Sequence, residues 1–178
     1  MVIYMVRHGQ TDWNKQRVMQ GLTDVPLNET GIRQALDAKE KLKDVNFDIC
    51  FSSPLKRAKK TAEIITYNKC KIIEDDLLLE RFMGDLEKKP YDLYKSIGYW
   101  DYELNSNEHK VESIKDLFER AKKFLDKIKN KYGDKTILVV SHGALIRALH
   151  YVIVGYDSNT DFLKFNVKNA EVYKYEVE

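Results

Sequence analysis

Cysteine is scarce in this chain. Cys50 and Cys70 are the only two, and their separation is not a CxxC spacing. That excludes a disulfide framework and a clustered thiolate metal site. Cys50 lies inside the apolar run Phe47-Asp48-Ile49-Cys50-Phe51 and reads as a small core residue. Long hydrophobic runs are also missing, so no segment approaches the roughly 20 apolar residues of a membrane span. Charge of one sign is missing too: 30 basic and 28 acidic side chains leave +2. So small an excess argues against a nucleic-acid partner, and the lysines at 39–43 and 122–131 read as solvated helix faces. The N-terminal apolar stretch meets Arg7 too soon for a signal peptide, which predicts a cytoplasmic protein. No linker and no internal repeat divides the 178 residues, so one soluble domain spanning 1–178 is expected.

What is present is an alternation of strand and helix patterns. Apolar runs at 2–6, 48–52, 71–74 and 136–140 predict strands. A polar loop follows the first strand, and helices are predicted near 30–43 (with Ile32, Ala35, Leu36 and Leu42 at helical spacing), from Ser53-Pro54 onward, over 113–131 and over 144–154. Ser53 is the expected cap of the second of these, with Pro54 in its first turn. The 113–131 segment carries Ile114, Leu117, Phe118, Ala121, Leu125 and Ile128 on one face. Two closing strands near 162–167 and 171–176 are expected to form a hairpin. Such an order favours an α/β chain with a mostly parallel sheet covered on both faces. Residues 81–112 fit neither period and are rich in aromatics, with Tyr91, Tyr94, Tyr99, Trp100 and Tyr102. They read as an irregular lid.

The chain has four histidines, and two of them end apolar strands in the same way. Arg7-His8-Gly9 follows Ile3–Val6, and His142-Gly143 follows Leu138–Ser141. In α/β sheets ligands bind at the carboxyl ends of strands, so both imidazoles are expected at one site. Neutral imidazole is a nucleophile near pH 7, which makes His8 the candidate to accept a phosphoryl group. Arg7 and Arg57 are candidate phosphate clamps, because a guanidinium fork matches two phosphate oxygens. His142 is a candidate donor to the phosphoryl oxygens. Arg147, one turn into the following helix, reads as structural or ion-paired, and His109 as a solvated loop residue. Cleaving an ester also requires a proton donor for the leaving oxygen. Residue types alone leave Glu80, Asp75, Asp76 and Glu87 all open for that part.

In combination these motifs resemble the histidine phosphatase (phosphoglycerate mutase-like) superfamily. Arg7-His8-Gly9 with Thr11, Trp13 and Asn14 is similar to its RHGxTxWN signature. Gln20-Gly21, Asp24, Pro26-Leu27 and Gly31 continue that pattern. Ser53-Pro54-Leu55 with Arg57-Ala58 and Thr61-Ala62 is similar to SPLxRAxxTA. Glu80 with Gly84, and Val140-Ser141-His142-Gly143 with Ile146-Arg147, supply the last two blocks. Five blocks in order are far more specific than RHG alone. The resemblance implies a three-layer α/β/α sandwich, His8 as phosphohistidine nucleophile, and Glu80 as proton donor and then base. It further implies a phosphate pocket of Arg7, Arg57 and His142, joined by Asn14, Gln20 and Gly21, with no metal and no cofactor. Gln10 stands where relatives often carry Glu. Residues 107–113 replace a Pro/Gly-rich segment, which leaves the lid's shape and the substrate open.

Within the family the expected activity is hydrolysis of a small phosphorylated metabolite, on the phosphatase branch. A cofactor-dependent phosphoglycerate mutase fits less well, because residues 82–119 hold no arginine for a substrate carboxylate. The absence of a C-terminal tail beyond the last strand and the Met19-Gln20-Gly21 run point the same way. A non-catalytic phosphate-binding module is the alternative of another class, and the full set His8, Arg7, Arg57, Glu80 and His142 argues against it. The aromatic lid has two readings: a seat for an apolar or ring-bearing leaving group, or simple packing.

Overall fold

The computed structural model describes residues 1–95 and 98–177. A five-stranded sheet organises the chain, with strands β1 (Val2–Arg7), β2 (Ile49–Ser52), β3 (Ile72–Glu74), β4 (Thr136–Ser141) and β5 (Val172–Glu176) in the order β3-β2-β4-β1-β5. β1, β2, β3 and β4 run parallel, and β5 pairs antiparallel with β1. Helices α1 (Asp12–Lys15), α2 (Glu29–Lys41), α3 (Lys56–Thr66), α4 (Asp92–Lys95), α5 (Ile114–Tyr132) and α6 (Gly143–Val154) complete the architecture.

Strand alternation decides which helix covers which face. Ile3, Met5, Phe51, Ile137 and Val139 face one way and pack with α5 and α6. Val6, Cys50, Leu138 and Val140 face the other way, against Ala38 of α2 and Ala58, Ala62 and Ile65 of α3. Central β4 is buried on both faces, as a covered parallel strand requires. The result is the expected three-layer α/β/α sandwich. All six apolar positions read for α5 are buried, and Ser113 caps its first turn by accepting from the Asp116 N–H at 3.2 Å. Among the described residues no helix is long and apolar enough to cross a membrane.

Four expectations need correction. The strand expected at 162–167 does not form, and neither does the hairpin. Side chains claim that segment's carbonyls instead: Arg7 binds the Val167 oxygen, Arg147 that of Phe165, and the Tyr173 hydroxyl that of Asn166. Phe162 and Val167 anchor it by burial rather than by a ladder. Second, α3 begins at Lys56 and not at Ser53-Pro54. Its first N–H is capped from another loop by Asp24 Oδ1 at 2.8 Å. Third, Ile32 and Leu36 lie on the exposed side of α2, whose buried face is built from Gly31, Ala35 and Ala38. Fourth, the loop after β1 contains the short α1, whose capping box uses Thr11 and Asn14.

The described residues of 81–112 hold only short elements, α4 and the 3-10 turns Gly84–Leu86 and Glu108–Lys110, joined by irregular backbone. They have a small core of their own in which Met83, Leu86, Tyr94, Tyr99 and Val111 pack with Met19. Tyr94 stacks on Tyr99 with ring centres 4.9 Å apart.

Candidate active site

The register of the sheet brings the two His-Gly units together. β1 and β4 are adjacent and parallel, with Arg7 opposite Ser141, so the chain leaves both strands at the same level. His8 and His142 follow, their ring centres 5.1 Å apart. Both are buried, at 1% and 0% exposure.

Hydrogen bonds fix the tautomer of each ring. His8 Nδ1 lies 2.6 Å from the Gly9 carbonyl oxygen. A carbonyl only accepts, so Nδ1 carries the proton and Nε2 keeps its lone pair. Burial lowers the His8 pKa well below the usual histidine value, and the Arg57 and Arg7 charges lower it further. His8 is therefore neutral at physiological pH, with Nε2 as its basic atom. His142 Nδ1 accepts from Arg57 Nε at 3.2 Å, so its proton sits on Nε2 and points to Ser53 Oγ at 2.8 Å. Burial, then Arg57, His8 and Arg7, also depress the His142 pKa strongly.

Arg57 is held as much as it holds. Besides His142 it donates to the carbonyls of Thr23 and Gly21, each at 2.8 Å. Burial pushes its pKa down to about 10, which leaves it a cation at neutral pH. Gly21 has φ +50°, a left-handed conformation suited to glycine. The loop it belongs to is pinned from the lid side by Glu87, which accepts from the Leu22 N–H at 2.8 Å and the Thr23 hydroxyl at 2.7 Å. Gln20 Oε1 accepts from the Thr11 hydroxyl at 2.8 Å. Asn14 Oδ1 accepts from the Thr11 N–H at 3.1 Å and from Asn169 Nδ2 at 3.4 Å.

A cleft of about 210 Å³ opens in front of these groups. Arg7, Asn14, Gln20, Gly21 and Glu80 line it, while His8, Arg57 and His142 are buried and outside its lining. Arg7 donates one bond to the Val167 carbonyl at 2.8 Å, yet its buried Nε has no partner among the described residues. An unsatisfied guanidinium N–H in a cleft of this kind favours an anion. Gly143 leaves the space beside it open: a Cβ there would stand 3.5 Å from Arg7 Nε.

The four carboxylates open on sequence alone now separate. Asp75 is buried and ion-paired with Lys127 at 2.7 Å. Asp76 is exposed, and Glu87 is committed to the Gly21 loop. Glu80 alone of the four lines the cleft. Its Oε1 accepts from the N–H groups of Arg81 and of Ala144 at the start of α6, at 2.9 and 3.1 Å. The α6 N-terminus is thus partly occupied by Glu80.

Several cleft residues escaped the sequence reading. Arg147 lines the cleft, with its guanidinium 4.7 Å from the Trp100 ring centre, a cation–π geometry. Asn166 and Val167 reach the cleft from the segment before β5, and Asn169 donates to the His8 carbonyl at 2.9 Å. Of the lid aromatics, Tyr91, Tyr94 and Trp100 reach the cleft. Tyr102 packs instead against Phe118. His109 is exposed, as expected, but lies in the 3-10 turn Glu108–Lys110 rather than in a loop.

Comparison with known proteins agrees with this architecture. The chain is 44% identical over 156 residues to an uncharacterized phosphatase, PhoE, of Bacillus subtilis (strain 168), covering 87% of this chain and 78% of that protein. It is 32% identical to phosphoserine phosphatase 1 of Hydrogenobacter thermophilus, over 94% of this chain and 82% of that one. The solved structure of YhfR from Bacillus stearothermophilus superposes with a TM-score of 0.85 at 27% identity, covering 99% and 91% of the two chains. The model of the histidine phosphatase superfamily (branch 1) matches residues 3–178, and the chain belongs to that family.

Proposed function

We propose that this chain is a phosphomonoesterase that hydrolyses a small phosphorylated metabolite through a phosphohistidine formed on His8. One observation carries the reading: the Nδ1–H bond to the Gly9 carbonyl leaves His8 Nε2 as a neutral nucleophile beside two arginines. The superfamily's general phosphohistidine mechanism and the phosphatase relatives support it.

In the first step His8 Nε2 attacks phosphorus as the bond to the leaving oxygen breaks. Glu80 in its acid form gives that oxygen a proton, and the alcohol departs. In the second step the Glu80 carboxylate takes a proton from water, whose oxygen attacks phosphorus. The phosphorus–nitrogen bond breaks, and phosphate leaves. Arg7, through its free Nε, and Arg57 neutralise charge on the phosphoryl oxygens. For His142 to donate to the same oxygens, its Nε2–H must exchange Ser53 for phosphate. Asn14, Gln20 and the Gly21 loop complete the pocket, and residues 81–112 act as its lid. A cleft of about 210 Å³ suits a small leaving group.

The test is hydrolysis of an aryl phosphate in the presence of chelator, combined with rapid-quench trapping of acid-labile, base-stable protein phosphate. Wild type is expected to turn over and to form the adduct, and His8→Ala to do neither. Full activity in His8→Ala refutes the mechanism. Relatives include proteins with phosphoglycerate mutase names, so 3-phosphoglycerate with 2,3-bisphosphoglycerate is the counter-assay. Rapid isomerisation there overturns the phosphatase reading.

A further inference from the structure

Glu80 belongs to no helix or strand; it follows the short 3-10 turn at Asp76–Leu78. Something outside the segment must fix it, since a proton donor misplaced by an ångström loses much of its effect. The Ala144 N–H holds its carboxyl, and one side chain from α5 holds its backbone. Arg120 NH1 donates to the carbonyls of Leu77 and Leu79 at 2.9 and 2.7 Å, and NH2 donates to that of Glu80 at 3.3 Å. Its remaining N–H groups grip Glu112, Nε to Oε1 at 2.9 Å and NH2 to Oε2 at 2.8 Å. All five guanidinium hydrogens are in use, in the fixed fork that only arginine offers.

Glu112 closes the arrangement from the far end of the lid. Its Oε2 accepts from the Phe82 N–H at 3.3 Å, its own N–H donates to the Phe82 carbonyl at 2.9 Å, and its carbonyl accepts from Arg81 Nε at 2.7 Å. Residues 77–82 are therefore held on both sides of Glu80 by one ion pair whose side chains are 18% and 17% exposed. The pair is absent from the cleft lining and from the contacts of His8, Arg57 and His142. Among the described residues its hydrogen bonds reach the reacting groups only through the Glu80 backbone, and the Arg120 charge helps to lower the His142 pKa.

We infer that Arg120 and Glu112 are positioning residues for Glu80: their ion pair sets the carboxyl at the distance needed for proton transfer to the leaving oxygen. This rests on the reading of Glu80 as proton donor, and leaving-group dependence tests the two separately. An aryl phosphate departs as a stabilised phenolate and needs little protonation, whereas an alkyl phosphate such as glycerol 3-phosphate needs a full proton. Single-turnover rates of His8 phosphorylation are measured on both substrates for wild type, Glu80→Gln, Arg120→Lys and Glu112→Gln.

Arg120→Lys and Glu112→Gln are expected to slow the alkyl ester on the order of 10- to 100-fold, to slow the aryl ester far less, and to leave KM for both nearly unchanged. The pH dependence of the alkyl reaction shifts with them. A loss equal for the two esters, or no loss, overturns the positioning role. If Glu80→Gln itself shows no leaving-group dependence, the reading of Glu80 fails first, whatever the pair does. Should Arg120→Lys not fold, Glu112→Gln carries the test, since Gln keeps one oxygen for Arg120 Nε.

Discussion

Two neutral histidines buried under arginine charge make the fold sensitive to acid. Unfolded, His8 and His142 titrate near pH 6.5; folded, both sit well below that value because of burial and the neighbouring arginines. As pH falls through 6.5 the unfolded chain takes up protons that the native one refuses, so stability declines with falling pH. Between pH 7.5 and 5.5 each histidine removes on the order of 1 kcal/mol, and the pair about twice that. For a domain of this size that is a fall in Tm of about 5–10 °C. His150, whose pKa burial also lowers, adds a background common to wild type and variant. The decisive measurement is the Tm of wild type and His8→Asn across that range at fixed ionic strength. Asn keeps a donor for the Gly9 carbonyl but does not titrate. The variant is expected to lose on the order of 1 kcal/mol less than wild type between the two ends. Parallel curves, or a wild-type Tm that does not fall, refute the claim that His8 is held neutral.

Two further outcomes follow from the cleft walls. Glu87→Ala frees Leu22 and Thr23 and so loosens the carbonyls that hold Arg57; kcat/KM for an aryl phosphate is expected to fall about tenfold, with the melting curve shifted by only a few degrees. Gly143→Ala places a methyl 3.5 Å from Arg7 Nε, an ordinary contact that leaves the fold intact but screens the free donor; competitive inhibition by inorganic phosphate should weaken several-fold, and an unchanged inhibition constant would show that Arg7 Nε does not meet the anion.

The layout of the sheet was legible because periodicity reports burial. Val6, Leu138 and Val140 announce two buried strands, and the glycines after His8 and His142 mark where those strands stop. What stayed hidden is carried by side chains that bond distant backbone. Ser53 reads as a helix cap, yet its hydroxyl meets His142 and the cap comes from Asp24. Glu87 reads only as one of four candidate proton donors and Arg120 draws no reading at all, yet one pins the Gly21 loop and the other holds the Glu80 backbone. The run at 162–167 has strand-like residues, but arginines claim its carbonyls. Such bonds join positions tens of residues apart and leave no period in the sequence. Arg147 was discounted for the same reason: its one-turn offset from His142 does not reveal that Trp100 lies beneath it.

The bond from Asn169 to the His8 carbonyl spans 161 positions. The proposed nucleophile thus leaves the first strand of the chain but is buttressed by one of its last loops, and it faces a ring from β4. An amino-terminal fragment, even one holding His8, Arg57 and Glu80, would lack His142 and this support. Recovery of phosphatase turnover during refolding therefore requires both ends of the chain to have docked, and the enzyme carries its own reporter of completed assembly.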